Sequence, residues 1–118
     1  MIRGGLVTLF VRDIDRAVRF YVETLGMKLI EEAGGGWAVI DAGDGFRIAL
    51  HEGGGVEGRG ASAPCVGLYA KVPMGEAIAI YENRGVKFES KQDGQDGPVA
   101  CAHFRDPDDN VLYLCQPE

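Results

Sequence analysis

The side chains best suited to chemistry are two histidines, His51 and His103, and three cysteines, Cys65, Cys101 and Cys115. An imidazole titrates near neutral pH and serves as acid, base or metal ligand. Tyr113 adds a phenol able to donate to a developing oxyanion. The cysteines form no CxxC pair and their number is odd, so neither a disulfide framework nor a zinc knuckle is expected. Three reduced, mostly buried thiols are the expectation. On strand alternation, His103 shares a face with Cys101, and His51 shares one with Ala49 and Arg47. A thiolate beside an imidazole is nucleophile chemistry. These two are only neighbours, with no third group to orient the base, so a nucleophilic cysteine is not expected. A site combining His51, Cys101, His103 and Tyr113 would need convergence of distant segments. Gly34-Gly35-Gly36 and Gly53-Gly54-Gly55 lack the Lys-Ser/Thr ending of a phosphate loop and the spacing of a dinucleotide fingerprint, and read as turns.

The elements that must position these groups belong to a chain of 118 residues, one domain's worth. Twelve basic against eighteen acidic side chains leave a net charge of −6, which disfavours nucleic acid as a partner. A 46% apolar, 25% charged composition is that of a folded domain. No apolar run approaches the roughly 18 residues of a membrane span. No signal-peptide pattern precedes the first strand-like run, so a cytoplasmic location is expected.

One order of elements occurs twice. Leu6 to Val11 reads as a strand. Asp13 reads as a helix N-cap, with Asp15 in the first turn. Ile14, Ala17, Val18, Tyr21 and Leu25 make one apolar helix face, closed by Gly26. Strands near 27–32, 37–41 and 46–51 follow, joined by Gly-rich turns. In the second half, Val66 to Val72 is the strand. Met74, Ala77, Ile78 and Tyr81 form the helix face, and Gly85 is its stop. Strands near 86–90, 98–104 and 111–116 complete the unit, the last two joined by Asp106-Pro107-Asp108-Asp109-Asn110. Asp108 and Asp109 in that turn, and Glu31-Glu32, are expected to face solvent. The fold class is α+β, two βαβββ modules: about 1–52 and about 65–118, with a link at about 53–64. One helix covers only one face of a four-stranded sheet, so each module leaves a face for another use.

Two motifs carry a resemblance. The run Val11-Arg12-Asp13-Ile14-Asp15-Arg16-Ala17-Val18-Arg19-Phe20-Tyr21, continuing to Leu25-Gly26-Met27, is similar to the strand-to-helix signature V-x-D-x-x-x-A-x-x-F-Y…L-G. Phe104-Arg105-Asp106-Pro107-Asp108-Asp109-Asn110 is similar to the turn F-x-D-P-D-G-N. Together with the repeat they resemble the vicinal oxygen chelate superfamily of glyoxalase I, extradiol dioxygenases, fosfomycin-resistance thiol transferases and bleomycin-resistance proteins. The resemblance implies a curled mixed sheet around a cleft between the modules. It also implies homodimer assembly.

Metal-dependent members of that superfamily take one ligand each from the first and fourth strand of each module. Carried onto this chain, those positions are Leu6, Ala49, Gly67 and Tyr113. Leu, Ala and Gly cannot coordinate, and a lone tyrosine does not hold a metal. No metal and no other cofactor is therefore expected. Alternation places Phe10, Arg47, His51, Tyr69, Cys101, His103 and Tyr113 toward the implied cleft, with Trp37 as a further candidate. Tyr69, Tyr113 and Trp37 are suited to stack on a flat ligand, and Arg47 to pair with an anionic group. Trp37 as core and Arg47 as a solvated strand-end charge are the plain alternatives. Gly67 is expected to leave room. The expected function is metal-free binding of a small molecule. The alternative is a superfamily enzyme, a lyase, isomerase, transferase or dioxygenase, with a displaced metal site or none. Its acid–base candidates are His51, His103 and Tyr113, and no catalytic residue is assigned. The expected partners are a small molecule and a second copy of the chain.

Overall fold

The computed structural model describes residues 1–53, 64–93 and 99–116. The chain divides into two compact units, Met1–Ser62 and Ala63–Glu118. Most of the expected link falls outside the described residues.

In the first unit, strand β1 (Val7–Val11) leads into helix α1 (Ile14–Arg19), followed by β2 (Lys28–Ala33), β3 (Trp37–Gly43) and β4 (Phe46–Glu52). The sheet order is β1-β4-β3-β2, with β1 parallel to β4 and the other pairs antiparallel. Asp13 caps α1 as its type predicts: its carboxylate accepts from the Arg16 N–H at 3.2 Å. A second carboxylate comes from the end of the neighbouring strand β4, Glu52, which stands opposite Val11 and accepts from the Ile14 N–H at 3.1 Å. These satisfy amides that the first helical turn leaves open. Beyond Arg19 the helix widens into a π-wound segment, Phe20–Thr24, in which the Leu25 N–H reaches the Phe20 carbonyl at 3.0 Å. The expected helix face is thus continuous, with Ala17, Tyr21 and Leu25 buried. They pack with Leu9, Val11, Ala38, Ile40, Ile48 and Leu50, all buried.

The second unit repeats this with β5 (Cys65–Tyr69), α2 (Met74–Asn83), β6 (Ser90–Asp93), β7 (Val99–Arg105) and β8 (Val111–Cys115), in the order β5-β8-β7-β6. Pro73 stands at the N-cap of α2, and Met74, Ala77 and Ile78 are buried. The Val86 N–H returns to the Tyr81 carbonyl at 3.0 Å across Gly85, whose φ of +94° is the left-handed stop the sequence calls for. Val66, Leu68, Ala102, Phe104, Leu112 and Leu114 form the helix-side core.

Four expectations are corrected. β1 begins at Val7, so Leu6 precedes it and is exposed. β5 ends at Tyr69, which takes Lys71 off the strand: the last ladder bond runs from the Ala70 N–H to the Cys115 carbonyl. β6 starts at Ser90 rather than near 86, because Val86 is buried and Phe88 packs edge-on against Phe104, 5.5 Å between centroids, ahead of the strand. Asp108 is fully buried, not solvent-facing. The turn folds around Asp106, whose carboxylate accepts from the Asp108 N–H at 2.9 Å, the Asn110 N–H at 2.8 Å and the Asn110 side-chain amide at 2.8 Å. Asp109 keeps the exposed position, with φ +65°. Among the described residues, no helix is long and apolar enough to cross a membrane.

Candidate functional site

Each sheet has one face under its helix and one open face, and the register assigns every residue to one of them. In the first unit, Thr8 stands opposite Ala49 and Ala49 opposite Val39, while Phe10 stands opposite His51 and His51 opposite Trp37. Arg47 stands opposite Asp41. In the second unit, Gly67, Tyr113, His103 and Ser90 form one row across the sheet. Tyr69, Cys115 and Cys101 form the next, and Cys65, Val111 and Arg105 the last.

Hydrogen-bond direction fixes how close these side chains come. A strand residue sends its N–H and C=O to the same side. The Cys115 carbonyl accepts from the Ala70 N–H, just past β5, and the His103 carbonyl from the Glu89 N–H, so neither residue bonds across the β7–β8 seam. Cys101–Cys115 and His103–Tyr113 are therefore non-hydrogen-bonded pairs, the class in which side chains lie closest. In the first unit, the Glu52 N–H bonds to the Gly36 carbonyl, which makes Trp37–His51 the same kind of pair.

On the first open face His51 lies between two aromatic rings. Phe10 meets it edge-on at 5.6 Å and Trp37 at 5.9 Å, by ring centroids. Phe10 and Trp37 are half-buried and His51 is exposed. Trp37 is thus a face residue in contact with the histidine. Arg47 is exposed at the start of β4, in keeping with a solvated strand end.

On the second open face the His103 and Tyr113 rings stack at a tilt, 5.1 Å apart. His103 Nδ1 is 3.3 Å from the Ser90 hydroxyl and 3.8 Å from the Cys101 sulfur. With Nδ1 unprotonated, Ser90 and Cys101 both donate to it. Ser90 was not singled out from the sequence: its approach to His103 depends on the β6–β7 register, which alternation alone does not fix. Burial raises the Tyr113 phenol above its ordinary pKa, with the neighbouring thiols and Tyr69 adding to the shift. It stays a protonated donor at neutral pH. Burial likewise raises the Cys101 thiol, with Cys115 and Cys65 contributing. This opposes a standing thiolate at neutral pH.

Two expectations change here. The space above Gly67 is filled: a Cβ there would lie 2.6 Å from both Tyr113 Cζ and its hydroxyl. The glycine makes room for the chain's own phenol. Cys65 is exposed and the other two thiols are half-buried, less buried than their residue type suggests. Tyr69, at 72% exposure, stands well out from the face.

A sequence model of the Glyoxalase/Bleomycin resistance protein/Dioxygenase superfamily matches residues 5–114. The chain belongs to this superfamily. Among solved structures, it is similar to TnmS3, an antibiotic binding protein from Streptomyces sp. CB03234. The identity is 26%, with 100% of this chain and 99% of that one covered and a TM-score of 0.73. It is similar to a glyoxalase/bleomycin resistance protein of the same organism at 27% identity, covering 94% and 97% of the two chains, with a TM-score of 0.73. The fold is shared with a fosfomycin resistance protein, FosX, from Listeria monocytogenes, in complex with Mn(II) and a dihydroxypropylphosphonic acid. That match has 19% identity, 100% and 93% coverage, and a TM-score of 0.74.

The positions that the resemblance implies for a metal, Leu6, Ala49, Gly67 and Tyr113, carry few donors. Gly67 and Tyr113 face each other directly, whereas Ala49 faces Thr8, and Leu6 lies before the strand. Aliphatic side chains, a glycine, a hydroxyl and a protonated phenol do not fit a divalent ion that needs imidazole and carboxylate ligands. Among the described residues, no group of three or more His, Cys, Asp or Glu side chains is placed to hold a metal.

Proposed function

We propose that this superfamily member is a metal-free small-molecule binding protein. Its ligand is held in a cleft between the two modules, about 1–52 and about 65–118 of a single domain. We propose further that it acts as a homodimer in the cytoplasm, with no resident cofactor. The observation that carries the reading is the content of the open faces at the superfamily's metal positions. Ala49 and Gly67 occupy positions that the resemblance implies for ligands, and the Tyr113 phenol covers Gly67. Around them lie flat rings with polar tips, the make-up of a small-molecule pocket. Phe10, Trp37 and His51 offer ring edges and faces, Tyr69 an exposed phenol, and Tyr113 a protonated donor for a ligand oxygen. Arg47 stands at the margin as an anion partner, and Cys101 and His103 supply polar tips. The net charge of −6 steers cationic ligands toward the chain, an effect that salt screens. The similarity to an antibiotic binding protein at 26% identity supports an antibiotic-like ligand.

Trp37 is the chain's one tryptophan and sits on an open face, so its fluorescence reports occupancy. A glycopeptide antibiotic of the bleomycin class, cationic and aromatic, is the first probe, titrated in the presence of a chelator. Saturable quenching with a Kd of about 1 μM or tighter, some 8 kcal/mol, is the expected result. Binding that appears only after divalent metal is added would overturn the reading.

One observation favours the second reading, an enzyme. His103, stacked on a protonated Tyr113 and bonded to Ser90, is an acid–base pair in outline. Turnover of a bound compound that falls in His103→Gln while binding persists would establish it.

A further inference from the structure

We propose that Cys101 and Cys115 are an oxidisable dithiol, forming a reversible cross-strand disulfide on the open face of the second sheet. The register sets the two residues directly opposite each other on β7 and β8, with both side chains on the same face. The backbone bonds at Cys115 and His103 point away from this seam, so the pair is of the non-hydrogen-bonded kind. Such residues have Cα atoms about 4.5 Å apart. That lies inside the range of about 4.4–6.8 Å that a disulfide spans without backbone movement. Both thiols are half-buried and free. Cys65 faces Val111 instead, two rows away, and has no such partner in register.

The surroundings give the two sulfurs different roles. Cys101 Sγ is 3.8 Å from His103 Nδ1, which can take its proton. Among the described residues Cys115 Sγ has no imidazole beside it, and it donates to the Leu68 carbonyl at 3.8 Å. The oxidant is a low-molecular-weight disulfide. Cys101, its proton passed to His103, attacks one oxidant sulfur. The oxidant's S–S bond breaks, and one of its halves leaves and takes up a proton as a free thiol. Cys115 then gives its proton to solvent and attacks the Cys101 sulfur, releasing the second half as a thiol. In sum, two protein S–H bonds are lost and one S–S bond forms, while the oxidant's S–S bond is reduced to two thiols. Burial raises the Cys101 pKa, so the first step is faster as pH rises. The product would tie β7 to β8 in the row beside His103 and Tyr113.

The test uses the full chain and oxidised glutathione, followed by acid quench, alkylation, digestion and mass spectrometry. The expected product has Cys101 linked to Cys115 and Cys65 alkylated, is reversed by dithiothreitol, and raises Tm by about 10 °C. Cys65→Ser keeps the linkage. Cys101→Ser and Cys115→Ser lose it, and Cys115→Ser stops at a glutathione adduct on Cys101. A disulfide that uses Cys65, a lasting glutathione adduct on the unmodified chain, or three alkylated thiols after oxidation would each overturn the proposal. The decisive map is made on the unmodified chain and does not depend on any variant folding.

Discussion

The two units share a strand order and a register, yet their open faces and their last turns are built differently. Ala49 and Tyr113 hold equivalent places, as do Thr8 and Gly67, Val39 and His103, Trp37 and Cys101, and His51 and Cys115. Aromatic bulk therefore sits one row apart in the two sheets. In the first it gathers around His51, and Ala49 and Val39 lie low and buried. In the second it is the Tyr113–His103 stack, set over Gly67, with thiols in the neighbouring row. The turns contrast as well. Gly43-Asp44-Gly45 is an exposed hairpin turn, while Asp106 to Asn110 wraps a buried carboxylate. The lesson is that the repeat conserves backbone geometry and helix-side core. The faces free of that core are where the halves have separated.

The largest difference between the units is expected at the turns. Asp106→Ala would leave three donors of a buried turn without their acceptor. A loss of about 3 kcal/mol or more is expected, seen as a Tm lower by 10 °C or so. A loss below about 1 kcal/mol would mean that the turn is not held this way. Next comes Gly67→Ala. Its Cβ would displace the far end of the Tyr113 ring rather than backbone, so stability falls by only about 1 kcal/mol. Ligand affinity falls about tenfold, because the phenol leaves its place. The matched change on the first sheet, Thr8→Ala, alters either quantity far less. Equal effects at the two positions would erase the distinction between the faces.

A smaller effect concerns pH. Tyr113, Cys101 and Tyr81 have their pKa values raised chiefly by burial. The fold favours their protonated forms, so the unfolded chain ionises first as pH rises. Their contribution is complete at neutral pH and is lost progressively above about pH 9, through the ordinary thiol and phenol range toward the higher folded values. Denaturation midpoints measured from pH 7 to 11 should fall over the upper part of that range. Tyr113→Phe should flatten the fall, and Trp37→Phe should leave its slope unchanged. The smallest expected effect is at Asp44, whose φ of +51° suits asparagine equally well. Asp44→Asn should stay within about 0.5 kcal/mol by denaturant titration.

Much of this was legible in the residues. The Asp13 cap, the Ala17–Tyr21–Leu25 face, the Gly85 stop and the repeated βαβββ order follow from local rules that tertiary structure did not override. Three features were not. Asp108 has the composition of a solvated turn, and its burial arises only because Asp106 draws the backbone around itself. Phe88 reads as part of a strand but serves as a packing contact for Phe104. The closure of Tyr113 over Gly67 and the place of Ser90 beside His103 depend on inter-strand register, which no single strand encodes. The side chains that bear on function belong mostly to this last kind.

In the proposed function these faces bind a small molecule without a metal. Metal content of protein purified without affinity-tag metal, repeated after incubation with Mn²⁺, Ni²⁺, Zn²⁺ or Fe²⁺ and desalting, tests it most directly. No stoichiometric retention of any of the four is expected. About one equivalent per chain, abolished in His51→Ala or His103→Ala, would contradict it.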